Sequence, residues 1–172
     1  IVLNDTREAW KGSWKVERMT LAGEVLASQT FDVDLDAVSH VGLPLAEEIV
    51  DYADAGNELV VATASDGAFA RVIFNPAEVI GQKLAAPAEA FETVASRVDG
   101  GVELKVTATS YVRDLFCMAD KIDAKASVDA GMVSLLPGES VTLRIDTGSD
   151  DDPQSFAAAN VLRSANDLKR EW

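Results

Sequence analysis

One histidine and one cysteine stand in a chain of 172 residues that carries 29 aspartates and glutamates. These are the side chains that do most acid–base and nucleophilic chemistry. His40 lies in Val38-Ser39-His40-Val41-Gly42, which reads as a strand. A catalytic or metal-bound imidazole needs partners, and no second His or Cys lies near it in sequence, so His40 reads as a structural or surface side chain. Ser-His-Asp catalysis would have to use His40, yet the chain holds no Gly-x-Ser-x-Gly elbow. Cys-His catalysis would need Cys117, from the other half of the chain. Cys117 sits in the apolar run Tyr111-Val112-Arg113-Asp114-Leu115-Phe116-Cys117-Met118-Ala119 and reads as a small buried hydrophobe. Being single, it closes no internal disulfide.

The carboxylates and aromatics invite a different chemistry. Glycosidases set two carboxylates at a fixed separation across a sugar ring. With 29 acids some pair always lies close, so their number assigns no catalytic residue. Residues 146–152 offer oxygens for calcium but lack the ligand order of an EF-hand, and they read as a solvated acidic loop. Aromatic rings stack on sugars, which makes Trp10, Trp14 and Trp172 the candidates. Trp10 and Trp14 fall on one strand face with Val16, a spacing that suits a core as well as contact with an oligosaccharide. They are the carbohydrate-binding candidates, while Trp172 is terminal. Gly-rich phosphate loops and zinc spacings are absent from the sequence, and no cofactor or metal is expected.

A formal net charge of −14 and a pI near 4.3 argue against a nucleic-acid partner, which would need a basic patch to displace counterions. Anionic membrane surfaces are disfavoured for the same reason. No apolar run approaches a membrane span and no signal peptide is visible, which favours the cytoplasm over export. The chain opens on Ile1 without an initiator Met, as a piece of a longer polypeptide would.

The elements that must position these residues are short and alternate with period two. Trp10, Trp14 and Val16 share a face, and Phe31, Val33 and Leu35 face in while Asp32, Asp34 and Asp36 face out. The aspartates read as an exposed face or a guard against edge-to-edge pairing. Residues 46–52, with early acids, read as one or two helical turns. Residues 58–64 are apolar on both faces and read as a central strand. Asp66-Gly67 predicts a hairpin into a strand over residues 68–74. From Pro76 to about Ala90 the periodicity fades, which marks a linker between domains. Residues 91–99 resume as a strand. In Val102-Glu103-Leu104-Lys105-Val106-Thr107-Ala108 the even positions are apolar, and Ser140-Val141-Thr142-Leu143-Arg144-Ile145 alternates likewise. Leu135-Leu136-Pro137-Gly138-Glu139 reads as the turn before that strand, with Gly138 supplying a positive φ. Residues 157–168 are read as a closing strand followed by a disordered tail, although their alanines also suit a helix.

The order strand, Arg113-Asp114-Leu115-Phe116, polar run, Leu135-Leu136-Pro137-Gly138-Glu139, strand resembles the last immunoglobulin-like domain of glycoside hydrolase family 2 β-mannosidases. The preceding segment is similar to that family's penultimate sandwich domain. The resemblance implies an all-β fold of two antiparallel immunoglobulin-like β-sandwich domains in tandem, residues 1–80 and 81–172. It implies a parent enzyme that releases terminal β-linked mannose by a retaining two-carboxylate mechanism, with both glutamates on an upstream (β/α)-barrel. This chain would then be a non-catalytic accessory region whose partner is the catalytic domain of the parent polypeptide. A carbohydrate-binding module and an adhesion sandwich unrelated to an enzyme are the rival readings.

Overall fold

The computed structural model describes residues 1–65, 67 and 69–168. The chain is all-β, built of antiparallel sheets that divide between two compact units. One holds residues 1–20 and 24–78, the other residues 21–23 and the chain from Val79 onward.

The first unit contains β1 (Val2–Asn4), β2 (Trp10–Thr20), β3 (Val25–Leu35), β4 (Ser39–Val41), the helical turn α1 (Glu47–Val50), β5 (Glu58–Ala64) and β6 (Val72–Phe74). Its main sheet has the order β3-β2-β5-β6, and β1 pairs separately with β4. Register decides which side chains meet. Trp14 stands opposite Phe31 and Ala64, Val16 opposite Gln29 and Ala62, and Arg18 opposite Ala27 and Val60. Ala62 and Val60 in turn face Val72 and Phe74. Paired residues project to the same side of a ladder, so these rows form one face. Val2 of β1, with Val41 and Leu43, covers its upper part over Trp14, Val33 and Leu35. Ile49 of α1, only 1% exposed, covers the lower part over Val16 and Val60. On the opposite face Asp32 and Asp34 meet solvent, and Asp34 pairs with Lys11 at 2.9 Å.

The strand expected over residues 68–74 is shorter, beginning only at Val72. Phe69 instead turns onto the indoles, edge-on to Trp10 at 4.9 Å between ring centroids and tilted against Trp14 at 5.5 Å. Of the hairpin signal, Gly67 has φ +68° and Asp66 lies outside the described residues.

Among the described residues the second unit is a seven-stranded sandwich. After the helical turn α2 (Pro87–Ala90), with Pro at its start where a missing N–H is harmless, come β7 (Phe91–Val98), β8 (Gly101–Ala108) and β9 (Val112–Cys117). Then follow β10 (Ser127–Val128), β11 (Val133–Leu135), β12 (Ser140–Asp146) and β13 (Leu162–Arg163). One sheet runs β10-β12-β8-β7, the other β11-β9-β13. Between them pack Val102, Leu104 and Val106 of β8, Leu143 and Ile145 of β12, Val112 and Leu115 of β9, and Phe156 from a 3-10 turn, all 0% exposed. Gly138, at φ +85°, makes the turn into β12 and donates its N–H to the Ala108 carbonyl at 2.8 Å.

Two expectations are corrected here. The polar run between β9 and Leu135 holds two further strands, β10 and β11, too short to show alternation. Residues 157–168 are mostly not a strand. Only Leu162–Arg163 pairs with β9, flanked by 3-10 turns Pro153–Ala157 and Ala165–Leu168. The reason lies in Asn166, which is 0% exposed. Its Oδ1 accepts from the Arg113 N–H at 3.0 Å, and its amide donates to the carbonyls of Ala85 and Tyr111, each at 3.0 Å. A side chain thus replaces the strand ladder there. The expected disordered tail beyond Leu168 falls outside the described residues.

Candidate binding site

The face of the first unit's sheet is not fully covered. Between the β1–β4 ribbon and α1 it opens into an apolar groove of about 420 Å³. Its floor is Trp14, Val16, Phe31, Val60 and Ala62, and among the described residues every lining side chain is apolar. One wall is β6, where Val72 and Phe74 are each 55% exposed. Another is the segment from Leu43 to Leu45, held by Gln29. The Gln29 amide donates to the Pro44 carbonyl at 3.3 Å, and its Oε1 accepts from the Ala46 N–H at 2.9 Å. Gln29 is the polar residue in an apolar row, and these two bonds explain its inward place.

Below the groove the same face carries a buried ion pair. Arg18 meets Glu58 at 3.1 Å, with 14% and 4% of their side chains exposed. Arg18 also donates to the Asp51 carbonyl, and the second Glu58 oxygen accepts from the Asp54 N–H at 2.8 Å. The pair therefore pins the loop between α1 and β5 to the sheet. Burial raises the Tyr52 hydroxyl pKa above its ordinary value, opposed by Arg18 and reinforced by Glu58. Sequence reading missed this pair, although a signal was present. Arg18 keeps the period of Trp14 and Val16, and Glu58 that of Val60 and Ala62, so alternation placed opposite charges inward on adjacent strands.

The residues singled out from the sequence are divided between the two units. Trp14 is 7% exposed and Trp10 half-buried, both in the cluster with Val33, Leu35 and Phe69. His40 is exposed on β4, in the first unit, whereas Cys117 ends β9 in the second. Burial pushes the Cys117 thiol up to about 11, with the Asp120 charge adding to it, which disfavours the thiolate a nucleophile needs. The acidic loop closes on Asp123, whose carboxylate accepts from the Thr147 hydroxyl at 2.8 Å and the Gly148 N–H at 3.2 Å. The Lys125 N–H first, then the Thr147 hydroxyl and the Gly148 N–H, hold the Asp123 carboxyl below its usual range. Among the described residues no group of three or more His, Cys, Asp or Glu is gathered to hold a metal ion. No helix among them is long and apolar enough to cross a membrane. Trp172 lies outside the described residues.

No family model matches the sequence, and no curated protein matches it. The fold does have counterparts. Over 94% of its length the chain superposes on part of a β-D-mannosidase from Dictyoglomus thermophilum, with a TM-score of 0.61 at 14% identity. The exo-chitosanase CsxA of Amycolatopsis orientalis matches 95% of the chain with a TM-score of 0.47 at 16% identity. The chain spans 19% of the length of the mannosidase and 24% of that of the chitosanase. In fold, then, this chain is similar to a small part of a glycoside hydrolase. That agrees with the resemblance carried by residues 113–116 and 135–139.

Proposed function

We propose that this chain is the non-catalytic C-terminal accessory region of a β-mannosidase-like glycoside hydrolase. It supports a catalytic barrel encoded in the same polypeptide and leaves the chemistry to that barrel. The observation that carries the reading is the extent of the match: almost all of this chain falls within a fifth of a β-mannosidase. The raised Cys117 pKa adds support. The parent enzyme would act on terminal non-reducing β-D-mannose residues by a retaining mechanism.

Assaying the purified chain on a chromogenic β-mannoside is expected to give no turnover above buffer, and a robust rate overturns the reading. Sequencing upstream of Ile1 tests the parent: a (β/α)-barrel with two glutamates is expected, and further sandwich repeats would make this an adhesion array. Sugar contact through Trp10 and Trp14 is the second reading, favoured by the partial exposure of Trp10. Titration of mannan oligosaccharides against Trp10→Ala and Trp14→Ala decides it.

A further inference from the structure

We propose that the first unit takes up one further β-strand along the outer edge of β6: an extended segment of a separate polypeptide, apolar at alternate positions and basic at its ends. β6 is the last strand in the order β3-β2-β5-β6. Among the described residues, the backbone of Val72, Ile73 and Phe74 pairs only with β5. Such an edge offers N–H and C=O groups at the spacing of an incoming strand. The sheet's other edge, β3, carries outward aspartates at 32 and 34, the charges that discourage pairing. β6 carries none.

The side chains match the same occupant. Val72 and Phe74 extend the rows Val16–Ala62–Val72 and Arg18–Val60–Phe74 to the rim of the groove, and each is 55% exposed. A strand added about 4.8 Å beyond β6 would continue those rows, its inward residues closing over the apolar wall made with Ile1 and Leu3. Alternation follows, because only every second residue of a strand faces the sheet. A small apolar ligand would fill the groove and leave the edge unpaired.

Charge sets the ends of the occupant. Exposed Asp5, Glu47, Glu48 and Glu78 follow closely on the lining residues Leu3, Leu45 and Phe74, and they outnumber the bases Arg7 and Arg71 in the same stretches. A second copy of this chain, itself at −14, is repelled by such a rim, whereas a basic-ended segment is attracted.

The test is anisotropy titration of the full chain against a fluorescein-labelled nine-residue peptide of alternating valine and threonine with a lysine at each end. Saturable binding is expected. Methylating alternate backbone nitrogens on either edge of the peptide removes the donors, so one of the two methylated forms should bind at least about tenfold more weakly. Glutamates at the ends should weaken binding about fivefold or more at low salt. Val72→Lys and Phe74→Lys should abolish it without lowering the melting temperature, since both side chains are more than half exposed. If either variant unfolds, the methylated peptides still decide. No saturation up to about 1 mM, a free energy weaker than about −4 kcal/mol, overturns the proposal. Equal binding of both methylated forms overturns it in favour of an apolar ligand. A dimer in sedimentation that Phe74→Lys dissolves overturns it in favour of a second copy.

Discussion

Glu58 sits at an inward position of a central strand with 4% of its side chain exposed, and its charge is tolerated there because Arg18 and the Asp54 N–H meet it. Removing one partner leaves the other charge buried and unmatched. Glu58→Ala is therefore expected to cost about 3–5 kcal/mol in urea unfolding, while Arg18→Met with Glu58→Leu together costs much less. A single-variant loss near zero would mean the pair contributes little. Asn166→Ala strands an N–H and two carbonyls, and at least about 2 kcal/mol should be lost, read as a shift of the urea midpoint. For Cys117 the sign is set by the neutral form being preferred in the fold. Its contribution is fully present below the thiol's ordinary value of 9.0 and is lost as pH rises through about 11. Thiolate-directed labelling of the native chain should be slow at pH 8 and accelerate toward pH 11; fast labelling at pH 8 would show an exposed, ordinary thiol.

At the scale of elements, the sandwich of the second unit depends on how closely β8 and β12 approach at their ends. Gly101 opens β8 opposite Asp146, and a Cβ there would run into the Ile145 carbonyl. Gly101→Ala is expected to cost about 1–3 kcal/mol through backbone overpacking, whereas Gly148→Ala, with open space around it, should leave the melting temperature almost unchanged. Period-two alternation was legible wherever a strand was long. Val102, Leu104, Val106 and Ala108 all turn inward as read, as do Phe31, Val33 and Leu35 against three aspartates. It was illegible in β10, β11 and β13, because two or three residues cannot display a period and their pairing is set by partners far along the chain.

For the whole molecule, the charge of −14 disperses as the solution approaches the pI of about 4.3, where solubility should pass through its minimum in precipitation assays. Raising ionic strength at neutral pH should raise the melting temperature modestly by screening self-repulsion; a fall would mean that surface ion pairs such as Lys11–Asp34 outweigh it. The amino-acid order by itself determined the all-β character, the inward and outward faces of the long strands and the turn at Gly138, because all of these follow from local periodicity and backbone preference. Tertiary structure alone decided that Arg18 and Glu58 neutralise each other, that Asn166 stands in for a strand, and that β6 borders an open apolar groove. Each of those depends on which strands lie side by side, and register between distant segments is written in no single stretch of chain.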